Sequence, residues 1–153
     1  MSTATTITAV KISGQAELQY SKREAIDIPG RDGHMLALGE VRGTNQNTSA
    51  GDFFADASVV NVETADLIQG NGSHQGYYTM RDGNDTATAK WHGTVSTVLG
   101  ADQQPQTSFE GTWEYIQGTG RYSGIQGGGE YRGEFLAQDR YLVRWQGERR
   151  QEG

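Results

Sequence analysis

Apolar and polar residues alternate along most of this chain with a period of two, the spacing of a strand that turns one face to a core and the other to water. The pattern is cleanest in the second half. Trp91, Gly93 and Val95, then Phe109, Gly111, Trp113 and Tyr115, then Tyr131, Gly133 and Phe135, then Tyr141, Val143, Trp145 and Gly147 share one parity. The other parity holds Lys90, His92, Glu110, Glu114, Glu130, Arg132, Glu134, Arg144 and Gln146. The alternation predicts strands near Thr6–Ile12, His34–Gly43, Asp52–Val62, Ser73–Arg81, Thr86–Val98, Thr107–Ile116, Gly128–Leu136 and Tyr141–Glu148. Helical periodicity is almost absent, and its best candidate, Ala16–Ile26, has poor apolar spacing. Asp82-Gly83, Gly70-Asn71-Gly72, Gly118-Thr119-Gly120 and Gln138-Asp139 punctuate the strands with residues that suit tight turns.

Eight strands with short connections and no helical crossovers imply an all-β, mainly antiparallel architecture. Such a sheet either closes into a barrel or splits into two packed layers. Large and small residues alternate on the aromatic face, which fits the taper of a barrel interior, and glycine permits the coiling that closure demands. A single antiparallel eight-stranded β-barrel is therefore expected. The recurring aromatic-x-Gly pattern ends at Gly93, Gly111, Gly133 and Gly147, too irregular a spacing for a propeller or solenoid.

Composition sharpens this picture. With 153 residues the chain is expected to form one domain over 1–153, with flexible ends at 1–5 and 149–153. Its 22 glycines are roughly twice the usual share. Only 34% of residues are hydrophobic, so the core is either thin or built around a cavity. A net charge of −6 without a basic stripe argues against a nucleic-acid partner. The absence of cysteine removes disulfides and thiolate metal sites. No signal-peptide pattern opens the chain and no run approaches the roughly 18 apolar residues of a membrane helix, so a cytoplasmic protein without a membrane partner is expected.

Candidate chemistry follows from the same parities. Trp91, Trp113, Tyr115, Tyr131, Tyr141 and Trp145 would line or fill the barrel, and their indole N–H and phenol O–H groups could orient a small, largely apolar organic ligand. Ordinary core filling is the alternative. His74 shares its parity with Gly76, Tyr78 and Met80, so His74 and Tyr78 are candidates for the lumen, while His34 and His92 read as rim or surface residues. Three histidines so dispersed do not suggest a metal site. Glu40 and Glu17 are the carboxylates to examine for burial; Glu110, Glu114, Glu130 and Glu134 read as solvated partners of Arg132 and Arg144. The segment Gly118–Gly124 does not satisfy the dinucleotide-binding glycine pattern, because its third glycine falls one position late and a strand follows it. No Gly-x-Ser-x-Gly elbow is present.

The stretch Phe109–Phe135, with its turn Gly118-Thr119-Gly120-Arg121-Tyr122-Ser123-Gly124 and the glycine-rich strand behind it, resembles the signature of the allene oxide cyclase-like barrels. That calycin-like group includes plant allene oxide cyclases, dirigent proteins, bacterial spirotetronate cyclases and uncharacterised bacterial relatives. The resemblance runs over about Thr86–Glu148. It implies a turn shaped by Gly118, Gly120 and Gly124, with Tyr122 plugging the barrel end. It also implies a homo-oligomer, a dimer or trimer. No catalytic carboxylate of the plant enzymes matches a position here.

Together these readings suggest a lumen that binds a small apolar molecule and guides its cyclisation or isomerisation without a cofactor, with Glu40, His74 and Tyr78 as candidate catalytic residues. Holding a flexible substrate near its reactive shape lowers the entropic part of a barrier, and a buried polar group stabilises developing charge. A lipocalin-like carrier and a fully packed structural barrel are the alternatives. A buried titratable group in the lumen favours catalysis, a purely apolar lumen favours carriage, and an absent cavity favours the structural module.

Overall fold

The period-two alternation is realised as eight strands in the computed structural model, which describes residues 7–152. They are β1 (Ile7–Asp27), β2 (His34–Asn47), β3 (Ser58–Ile68), β4 (Asn71–Asp82), β5 (Asp85–Leu99), β6 (Pro105–Thr119), β7 (Gln126–Ala137) and β8 (Arg140–Glu152). A single 3-10 turn, Gly120–Tyr122, precedes β7. Each strand pairs antiparallel with the next, and β1 pairs with β8, so the sheet is a closed barrel with no edge strand. Closure is what removes the exposed ladder of an open sheet. No helix among the described residues is long and apolar enough to cross a membrane.

Three sequence expectations change. Ala16–Ile26 is not helical: it is the second half of a 21-residue β1, whose first part pairs with β8 and whose later part pairs with β2. Its dense charges point outward, while Ile12, Gly14, Ala16 and Leu18 turn inward. The third strand begins at Ser58 rather than Asp52, because Phe54 and Asp56 take φ of 51° and 58°, a left-handed backbone that cannot continue a strand. Finally, 149–152 are not a loose end, since Arg149, Arg150 and Gln151 pair in register with Val10, Ala9 and Thr8. Residues 1–5 lie outside the described residues.

The β3–β4 turn lies one residue earlier than Gly70-Asn71-Gly72, since Asn71 and Gly72 already belong to β4. Gln69 and Gly70, at φ 52° and 80°, join β3 to β4 in the conformation favoured by tight hairpins.

The connection between β2 and β3 closes the barrel. Phe54 is fully buried and tilts against Tyr122 at a 4.4 Å ring-centroid distance, and Phe53 meets Tyr122 edge-on at 5.5 Å. Tyr122 therefore does plug this end, joined by two phenylalanines from the β2–β3 connection. Buried Asn45 anchors the plug by donating Nδ2–H to the Phe54 carbonyl at 3.0 Å. Half-buried Tyr20, Leu67 and Phe135 ring the opposite end, the mouth.

Inward-facing glycines serve as seats for aromatic rings from neighbouring strands. A Cβ at Gly76 would stand 2.7 Å from Trp91 Cζ2, one at Gly14 2.5 Å from Trp145 Cζ2, and one at Gly147 2.7 Å from Trp113 Cζ2. Interiors tolerate no such overlap. At Gly14 the missing side chain makes room for the Trp145 indole, while at Gly76 and Gly147 it also lets the Val62 and Gly128 carbonyls of the neighbouring strands approach.

Candidate lumen site

The alternation places one face of every strand inward, and the candidate residues His74, Tyr78, Trp91, Trp113, Tyr115, Tyr131, Tyr141 and Trp145 all line a single lumen cavity. Its volume is about 60 Å³. A cavity that admits benzene measures about 150 Å³, so an organic ring enters only if lining side chains move. Tyr20 and Phe135, stacked at a 6.5 Å centroid distance at the mouth, are the half-buried rings placed to do so.

Glu40 is not in this cavity. It faces outward on β2, where Ser21 Oγ–H donates to its carboxylate at 2.7 Å and Arg42 Nε–H at 2.9 Å. Those hydrogen bonds, Ser21 first, hold its carboxyl below the usual carboxylate range. Glu17 is also external, 3.4 Å from Arg140. The outward parity of Glu40 next to inward Gly39 and Val41 decides its position.

The lumen carboxylate is Glu63, which lies one residue beyond Val62, the expected end of the third strand. With β3 running to Ile68, the inward series is Val59, Asn61, Glu63, and both polar members face the cavity. A hydrogen-bonded chain leads to Glu63. Trp91 Nε1–H donates to Asn61 Oδ1 at 2.8 Å, Asn61 Nδ2–H to the Tyr141 hydroxyl at 2.7 Å, and Tyr141 O–H to Glu63 Oε1 at 2.8 Å. Tyr20 O–H donates to the other carboxylate oxygen at 3.3 Å. Burial raises the Glu63 pKa, opposed by the Tyr141 and Tyr20 hydrogen bonds and by Arg23. Such a carboxyl is easier to protonate than one in water.

His74 and Tyr131 share a 2.9 Å hydrogen bond between Nε2 and the phenol oxygen. Burial pushes the His74 pKa down to about 4, so its imidazole is neutral near pH 7. Trp91 meets its ring edge-on at 4.6 Å. Burial also raises the phenols of Tyr78, Tyr115, Tyr131 and Tyr141, keeping them protonated as donors. His34 is instead bound to Asp66 at 2.7 Å on the outside, and His92 is exposed. Among the described residues no three His, Asp or Glu side chains converge as metal ligands do.

The arrangement combines three elements: apolar aromatic walls, one desolvated carboxyl at a relay of phenols, and one uncharged histidine. No family model and no curated protein matches the chain. Among solved structures it is similar to the pterocarpan synthase dirigent protein GePTS1, with a TM-score of 0.47 and 9% identity, covering 97% of this chain and 92% of that one. What the lumen does chemically rests on its own side chains.

Proposed function

We propose that the lumen binds a small, largely apolar organic molecule and guides its cyclisation or isomerisation, with Glu63 as the proton-transferring group. The observation that carries this reading is the Glu63 carboxyl itself, lining an aromatic cavity with its pKa raised by burial. A carboxylate in such surroundings is a stronger base than in water, and its pKa moves toward the operating pH at which a general acid–base works best. In an isomerisation, Glu63 takes a proton from one carbon of the substrate, the C–H electron pair shifts a double bond, and the same proton returns to another carbon. The step is redox-neutral and balanced within the substrate. Tyr141 and Tyr20 orient the carboxylate before the first transfer and receive it again after the second, while the aromatic walls restrict the substrate to reactive conformers. Glu63 and Tyr141 thereby replace Glu40 in the catalytic role, with His74 as a neutral hydrogen-bonding wall.

Cyclohex-3-enone tests this, because its conversion to cyclohex-2-enone is a proton shift followed by ultraviolet absorbance. The protein should accelerate the shift over buffer, and Glu63→Gln should lose about a hundredfold or more of that acceleration. Binding of the enone without turnover would assign the lumen to carriage instead, and turnover retained in Glu63→Gln would remove Glu63 from the role.

A further inference from the structure

Two buried side-chain polar atoms among the described residues have no hydrogen-bond partner: the Tyr78 hydroxyl and Arg149 Nε. Of these residues only Tyr78 lines the lumen cavity. Arg149 sits at the plug, its guanidinium 4.7 Å over the Phe53 ring. A buried polar group left unsatisfied is costly, and native interiors keep few of them. No neighbour of Tyr78 takes its proton: Asn61, opposite it on β3, spends its amide oxygen on Trp91 Nε1–H at 2.8 Å. Register places Tyr78 opposite Ala89, and Ala89 opposite Tyr115, while Met80 lies two residues on along the same face. The two nearby indoles carry only donors and so cannot take the phenol proton: Trp145 Nε1–H, which also reaches toward the Tyr78 oxygen, donates to Asn45 Oδ1 at 3.2 Å, and Trp113 Nε1–H donates to the Glu130 carbonyl at 3.1 Å. The polar relay ending at Glu63 runs through Asn61 and Tyr141 and leaves Tyr78 out.

We propose that the ligand of this lumen carries a carbonyl-type acceptor oxygen at its inner end, which takes the Tyr78 O–H. The inference rests on the lumen-binding reading above and specifies its substrate class. Tyr78 and Glu63 then read the two ends of one molecule. Glu63 lies two residues nearer the mouth than Asn61, the residue opposite Tyr78. An oxygen seated at Tyr78 leaves the carbon skeleton among the aromatic walls, with its outer part at the carboxyl. For the enone chemistry above, the same hydrogen bond would stabilise the enolate oxygen as its charge develops.

The experiment compares cyclohexanone with methylenecyclohexane, an isostere in which CH2 replaces the oxygen. Both are titrated into the wild-type protein and into Tyr78→Phe, following the fluorescence of Trp91, Trp113 and Trp145. Cyclohexanone should bind Tyr78→Phe about tenfold more weakly than wild type, equivalent to about 1.4 kcal/mol, and methylenecyclohexane should bind both proteins alike. Cyclohexanone labelled with carbon-13 at the carbonyl should show a downfield shift on binding the wild type and lose that shift in Tyr78→Phe. A change common to both ligands, or no change with either, would overturn the Tyr78 assignment while leaving lumen binding in place. Failure of both ligands to bind the wild type would overturn the lumen reading with it.

Discussion

The Tyr141 hydroxyl donates a 2.8 Å hydrogen bond to Glu63 Oε1 and receives one of 2.7 Å from Asn61, so that a buried carboxyl on β3 is oriented from β8 across the lumen. The pair joins strands that are not neighbours in the sheet. A contact of this kind exists only once the barrel has closed, and it fixes the carboxyl where the aromatic walls meet the mouth.

Because burial raises the Glu63 pKa above the ordinary 4.5, the folded protein holds this proton at pH values where the unfolded chain has released it. Stability from Glu63 is therefore fully present below the ordinary value and falls as pH rises through the raised one. Urea unfolding of wild type and Glu63→Gln between pH 4 and pH 8 should show the wild type losing ground to the variant as pH increases. A constant difference, or one that grows in favour of wild type, would contradict the burial of this carboxyl.

His74 has the opposite sign. Its pKa is depressed from 6.5 to about 4 by burial, so the unfolded chain takes up a proton that the folded protein refuses. The neutral ring contributes stability above the ordinary value that is lost as pH falls through the window, on the order of 3 kcal/mol for the full shift. His74→Gln should flatten the wild-type decline between pH 6.5 and 4. A decline of equal depth in the variant would show that His74 does not titrate in this way.

Much of the second half of the barrel was legible because its outward positions are charged and its inward positions aromatic, so that β5–β8 could be read by parity. The first half hid its structure for physical reasons. In β1 the outward residues from Glu17 to Glu24 are so polar that small Ala16 and single Leu18 gave little inward signal. Phe53 and Phe54 look like a strand by composition, but Phe54 takes a left-handed backbone and both rings turn inward to meet Tyr122. The site was misplaced for a related reason. Glu40 and Glu63 are chemically alike, and only the register of β2 and β3 puts the first outside and the second inside. Continuing the alternation Val59, Asn61, Glu63 past Val62 would have found it.

The seating of Trp145 on Gly14 gives a direct packing test. A Cβ at Gly14 would lie 2.5 Å from Trp145 Cζ2 and 2.8 Å from Asn45 Oδ1, so both side chains must shift. Gly14→Ala should destabilise the protein by about 1–3 kcal/mol, the usual cost of overpacking. In a Trp145→Phe background, where the bulky indole is gone, the same change should cost less. Chemical denaturation of the four proteins gives the coupling energy directly, and additive effects would show that the ring does not press on Gly14.

The plug supplies the last expectation. Phe54 is fully buried at φ 51°, its carbonyl tied to Asn45 Nδ2 and its ring against Tyr122. Truncation to alanine removes the ring and leaves a cavity at the closed end, costing about 3–5 kcal/mol. Phe54→Leu keeps most of the volume and should cost less, which separates packing from the backbone bend that both variants share. Because the plug and Tyr78 lie toward the same end of the lumen, Phe54→Ala should also admit water beneath Tyr78 and give its unpartnered hydroxyl an acceptor. Cyclohexanone should then lose affinity in Phe54→Ala even with Tyr78 intact, whereas methylenecyclohexane, which makes no hydrogen bond, should be less affected. Thermal unfolding and the same fluorescence titration measure both effects, and an unchanged ketone preference in a destabilised Phe54→Ala protein would show that the plug guards stability alone.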